Sequence, residues 1–149
     1  MGATEGVEGN YGQLILTDAN GVLRHRDSGG PTYSLSFQPS GQRLFHVLGN
    51  PYSWRVGLWF GCLRILDPQR GTVRNQVDQR FTCWRCIDDH RALACVDGVL
   101  QVWDLDTLRP VQTLDVGGPC HTFELSDDGR TLVWHDQREV FVYRVVTGP

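Results

Sequence analysis

Apolar and polar residues alternate along this chain in short runs of four to eight residues, and clusters of turn residues separate the runs. The runs at 13–17, 33–37, 43–48, 62–66, 81–86, 92–96, 99–103, 111–114, 121–125, 130–135 and 139–146 are rich in β-branched and aromatic residues. The pleat of a strand puts successive side chains on opposite faces, so this alternation predicts strands. Asp18-Ala19-Asn20-Gly21, Pro39-Ser40-Gly41, Pro68-Gln69-Arg70-Gly71, Asp97-Gly98 and Asp127-Asp128-Gly129 supply the turns between them. No window carries apolar residues at helical spacing over three turns, so the expected fold class is all-β, built from antiparallel sheets with almost no helix.

One phrase occurs twice. Asp27-Ser28-Gly29-Gly30-Pro31 precedes an alternating run and then Ser40-Gly41, while Asp115-Val116-Gly117-Gly118-Pro119 precedes another and then Asp128-Gly129. Val99-Leu100-Gln101-Val102-Trp103-Asp104 has a counterpart 37 residues earlier in Cys62-Leu63-Arg64-Ile65-Leu66-Asp67, and a looser one in Val140-Phe141-Val142-Tyr143-Arg144. A recurrence of this length is a repeat signature.

The strand ending in Trp103-Asp104, its degraded neighbours and the Asp128-Gly129 turn resemble the WD-repeat β-propeller family, whose blades are four-stranded sheets. No Gly-His dipeptide precedes any first strand, a departure from that family's pattern. The resemblance covers residues 13–149 as a propeller segment, with residues 1–12 expected as a flexible tail. Blades are expected at 32–78 and 79–115, with the last two strands of a blade at 13–26 and the first three of another at 119–146. Such a segment closes a small ring, assembles with a second copy to complete a propeller, or belongs to a longer one. The resemblance implies a non-catalytic scaffold that binds a protein partner, with no cofactor.

Composition narrows the partners. The chain has 149 residues and a formal charge of −3; all 14 of its basic residues are arginine. Nothing forms the basic stripe that nucleic acid needs, and no apolar run reaches the roughly 18 residues of a membrane span. The start of the chain lacks the features of an export signal, so a cytoplasmic protein with five reduced thiols is expected.

Three constellations carry candidate chemistry. Residues 49–60 form an insertion with Tyr52, Trp54, Arg55 and Trp59, residue types that dominate binding hot spots; these four are the candidate partner-binding residues. The alternative is that they pack down on a blade face. Cys83, Cys86, His90 and Cys95 have spacing near that of a zinc knuckle, which makes a small metal-binding module the alternative function. Residues three apart on a strand point to opposite faces, however, which favours packed thiols and no bound metal. Ser28 in Asp27-Ser28-Gly29-Gly30-Pro31 resembles the nucleophile loop of trypsin-like serine proteases, a remote alternative. The second copy of the phrase has Val116 at the position of Ser28, which a shared turn explains and a nucleophile does not.

Overall fold

A computed structural model describes residues 2–8, 11–17, 19–27, 32–49, 61–135 and 139–144. Among the described residues, fourteen strands form four antiparallel sheets. The first holds β1 (Gly2–Glu8), β2 (Tyr11–Thr17) and β3 (Leu23–Asp27). The second holds β4 (Thr32–Phe37), β5 (Leu44–Gly49), β6 (Gly61–Asp67) and β7 (Thr72–Val77). The third holds β8 (Phe81–Cys86), β9 (Arg91–Val96), β10 (Val99–Asp104) and β11 (Arg109–Leu114). The fourth holds β12 (Thr122–Leu125), β13 (Thr131–His135) and β14 (Val140–Arg144). Each sheet is a meander in chain order.

The sheets stack face to face as propeller blades do. β4 lies against β2, β8 against β5 and β6, and β12 against β8, so the first strand of each later sheet packs on the sheet before it. Three apolar cores fill the gaps. Leu14 and Leu16 meet Leu44 and Leu66 between the first two sheets. Phe45, Val47, Leu63 and Ile65 meet Phe81, Trp84, Ala92 and Trp103 between the second and third. Cys83, Leu93, Cys95 and Leu100 meet Phe123, Leu132 and Trp134 between the third and fourth. A sheet with neighbours on both sides must be apolar on both faces, which is why β5 reads Leu44-Phe45-His46-Val47-Leu48-Gly49 and is buried throughout. The outer strands β7 and β11 are polar in sequence and largely exposed.

Equivalent irregularities show that the sheets are copies. A register shift falls between Thr32 and Ser34 where β4 meets β5, and between Phe81 and Cys83 where β8 meets β9. Another falls at Leu16/Thr17 in β2, Ile65/Leu66 in β6 and Val102/Trp103 in β10, each where the strand meets the last strand of its sheet. Asp67 and Asp104 follow these last two positions and do the same job. Asp67 Oδ1 accepts from the backbone N–H groups of Gln69 and Arg70 at 3.0 and 3.1 Å, and Asp104 Oδ1 from those of Asp106 and Thr107 at 3.1 and 2.7 Å. Asp97-Gly98 turns β9 into β10 with both residues at positive φ, 50° and 78°, the geometry of a two-residue hairpin.

Two expectations change. Gly2–Glu8 is a strand where a flexible tail is expected: it pairs with Tyr11–Thr17 over seven residues, so the first sheet has three strands in place of two. And the five thiols are not all free. Cys95 on β9 is disulfide-bonded to Cys120 on the approach to β12, with Cα atoms 6.0 Å apart, because stacking brings the two sheets together there. Among the described residues no helix is long and apolar enough to cross a membrane.

Candidate functional site

The first strands of the second, third and fourth sheets end side by side, and a cleft of about 380 Å³ opens between their ends. β4 contributes Leu35, Ser36 and Phe37; β8 contributes Arg85 and Cys86; β12 contributes Leu125. Pro39, Ile87, Ser126, Asp127 and Gly129, in the turns that follow these strands, complete the rim. Register makes Phe37, Cys86 and Leu125 equivalent: each pairs with the first apolar residue of the second strand, Leu44, Ala92 or Leu132. The cleft is therefore lined by the same position taken three times, the residue that ends each inner strand. Phe37 is 37% exposed. Arg85 is exposed beside it and makes no ion pair among the described residues.

Side chains lash the inner strands together. Ser34 Oγ donates to the Trp84 carbonyl at 2.8 Å and accepts from the Trp84 N–H at 3.3 Å. Ser36 Oγ accepts from the Cys86 N–H at 3.0 Å. Cys83 stands where Ser34 stands in the sheet before, and its Sγ donates to the Phe123 carbonyl at 3.6 Å. An inner strand has no fifth strand to bond its outer edge, so the preceding sheet's side chains satisfy those backbone groups. The turns around the cleft are joined as well. Gln38 Nε2 donates to the Asp89 carbonyl at 2.6 Å, and the Ser40 N–H to Asp89 Oδ1 at 2.8 Å. Arg43 donates to the Leu105 carbonyl at 2.6 Å and sits 3.5 Å from Asp106.

The four residues of the zinc alternative do not converge. Cys83 is opposite Cys95 across β8 and β9, but Cys95 is bonded to Cys120. Cys86 lines the cleft, and His90 Nδ1 lies 3.2 Å from Asp106 Oδ2. No group of three metal-ligating side chains occurs among the described residues. Burial pushes the Cys83 and Cys86 thiols above the ordinary cysteine value, which keeps them protonated and unreactive at neutral pH. Ser28, Tyr52, Trp54, Arg55 and Trp59 lie outside the described residues. The ends of the 50–60 segment are placed, however. Gly49 and Gly61 pair across β5 and β6, and a Cβ on Gly61 would collide with the carbonyl of Phe81, the first residue of β8. These ends therefore lie on the face where one sheet passes to the next, opposite the cleft.

The cleft is not apparent in the sequence, since Phe37, Cys86 and Leu125 belong to three sheets and share no local motif. The signal that points to it is positional: each closes an inner strand just before a turn.

The sequence matches no family model, and no curated protein matches it. Among solved structures, hydrazine synthase of Kuenenia stuttgartiensis aligns over 91% of this chain with a TM-score of 0.62 and 17% sequence identity. This chain spans 40% of the length of that one. At this identity the likeness is one of fold, and with the stacked sheets above it makes the chain a segment of a β-propeller.

Proposed function

We propose that the chain is a non-catalytic, WD-repeat-type binding module that docks a protein partner on one end of its propeller axis. The WD-repeat assignment is supported by Trp103-Asp104 and by the shared turn-capping role of Asp67 and Asp104. The observation that carries the binding reading is the cleft: Phe37, Ile87 and Leu125 beside the exposed Arg85, with Ser36, Ser126 and Asp127 also lining it, held by side-chain bridges between three sheets. A cleft of mixed polar and apolar lining with an exposed arginine suits a partner's apolar side chain next to a carboxylate. The aromatic segment with Tyr52, Trp54, Arg55 and Trp59 is a second candidate contact, on its residue types alone.

The test is affinity capture from source-cell extract, followed by direct binding of each captured protein in purified form. Phe37→Ser with Arg85→Glu should weaken a cleft-bound partner by at least about tenfold, the loss of about 1.4 kcal/mol. Trp54→Ala with Arg55→Ala should do so for one bound through the 50–60 segment. A purified partner whose affinity neither pair changes, or the absence of any saturable partner, defeats the proposal.

A further inference from the structure

β2, β6, β10 and β14 occupy equivalent places in the four sheets, and each carries two apolar residues, two apart, on the front face. Register makes Leu14/Leu16, Leu63/Ile65, Leu100/Val102 and Val140/Val142 equivalent. In the first three sheets the following sheet covers the pair: Leu14, Leu16, Leu63 and Leu100 are fully buried, Ile65 is 3% exposed and Val102 is half-buried. In the fourth sheet Val140 and Val142 are 70% and 68% exposed. The same positions are thus apolar in all four sheets, and only the last pair is uncovered.

The repeat also says what covers such a pair, namely the rear face of another sheet of this kind. The rear face of the first sheet is open in part, with Ile15 and Thr17 half-buried. On the first sheet Ile15 and Thr17 pair with Arg26 and Leu23, and all four look away from the second sheet. Leu23 is 55% exposed and Arg26 is exposed. Among the described residues no extensive strand contact joins the first sheet to the fourth. The charges match: Glu124, in the row Glu124–Val133–Val142, is exposed on the front of the last sheet, and Arg26 is on the rear of the first.

We propose that the front face of the last sheet docks the rear face of the first sheet of a second copy, head to tail. Two such contacts close a ring of eight sheets, within the range of known propellers. A head-to-tail contact closes only if its rotation does, and in a ring of two copies each copy accounts for a half turn.

Sedimentation equilibrium of the full chain at up to about 100 µM tests this, since a dimer with a dissociation constant near 1 µM is then almost wholly assembled. The wild type should show twice the mass of one chain. Val142→Asp and Val140→Asp, both at exposed positions and checked for native circular dichroism, should each return the chain to single mass. Arg26→Glu should weaken dimerisation at least tenfold, and Arg26→Glu with Glu124→Arg should restore it. A wild type at single-chain mass overturns the proposal. So does a dimer unaffected by Val142→Asp, or one lost with Val142→Asp but unaffected by Arg26→Glu, which would mean that like faces meet. The cleft variants Phe37→Ser and Arg85→Glu leave the mass unchanged, so failure here is distinct from failure of the partner-binding proposal.

Discussion

Ser34→Ala removes one oxygen and two hydrogen bonds between sheets. The hydroxyl donates to the Trp84 carbonyl at 2.8 Å and accepts from the Trp84 N–H at 3.3 Å. Trp84 is 1% exposed and stacks on Phe45 at 5.3 Å, so water reaches its backbone poorly once the hydroxyl is gone. An unsatisfied buried backbone group costs about 1–3 kcal/mol. The 3.3 Å bond is weak and the bridge is only partly buried, so the pair should cost about 1.5–3 kcal/mol. For a domain of this size that corresponds to a fall in melting temperature of roughly 3–10 °C. Urea unfolding followed by tryptophan fluorescence reads the change directly, because Trp84, Trp103 and Trp134 are all buried. Ser34→Cys supplies the control: Cys83 already makes this bridge one sheet further on, so the cysteine variant should lose less than the alanine variant. A Ser34→Ala protein within about 0.3 kcal/mol of wild type, or a cysteine variant less stable than the alanine one, would refute the view that these side chains hold neighbouring sheets together.

Three further outcomes are expected. Gly71 has φ of 67°, and a Cβ there would collide with the Arg24 carbonyl; Gly71→Ala should therefore cost more than the roughly 1–2 kcal/mol of handedness alone, measured by denaturant unfolding. Denatured, unreduced protein should titrate three thiols per chain, from Cys62, Cys83 and Cys86, and five after reduction; five before reduction would exclude the Cys95–Cys120 bond. The Arg74 guanidinium 2.6 Å from Asp67 holds that carboxyl below the ordinary range, and a side-chain bond from Thr107 does the same for Asp104. Depressed folded values mean stability that is present above about pH 3.9 and lost as pH falls through the lower folded values, so Asp67→Asn should flatten the acid limb of a stability–pH curve.

Much of the architecture is legible in local pattern. The expected full blades at 32–78 and 79–115 match β4–β7 and β8–β11, because glycine- and aspartate-bearing turns punctuate every strand. Aspartates placed in turns do bond nearby backbone amides, since an Asx side chain reaches only two or three residues ahead. β1 is not legible: Gly2-Ala3-Thr4-Glu5-Gly6-Val7-Glu8 has little apolar alternation, and its pairing with β2 is what makes it a strand. The Cys95–Cys120 bond and the cleft stay hidden for one physical reason. Both join residues of different sheets, and their proximity arises from stacking, which no local periodicity encodes. The spacing of Cys83, Cys86, His90 and Cys95 misleads in the opposite direction, because closeness in sequence on pleated strands sends side chains to different faces and different cores.

Site-resolved amide hydrogen exchange tests the stacked-sheet arrangement most directly. Stacking predicts the slowest exchange in β5, β6, β9 and β10, which have a strand on each side and a sheet on each face. Exchange should be faster in β7 and β11, which close their sheets on the outside, and in β14. Protection spread evenly over all fourteen strands, or strongest in β7 and β11, would contradict it.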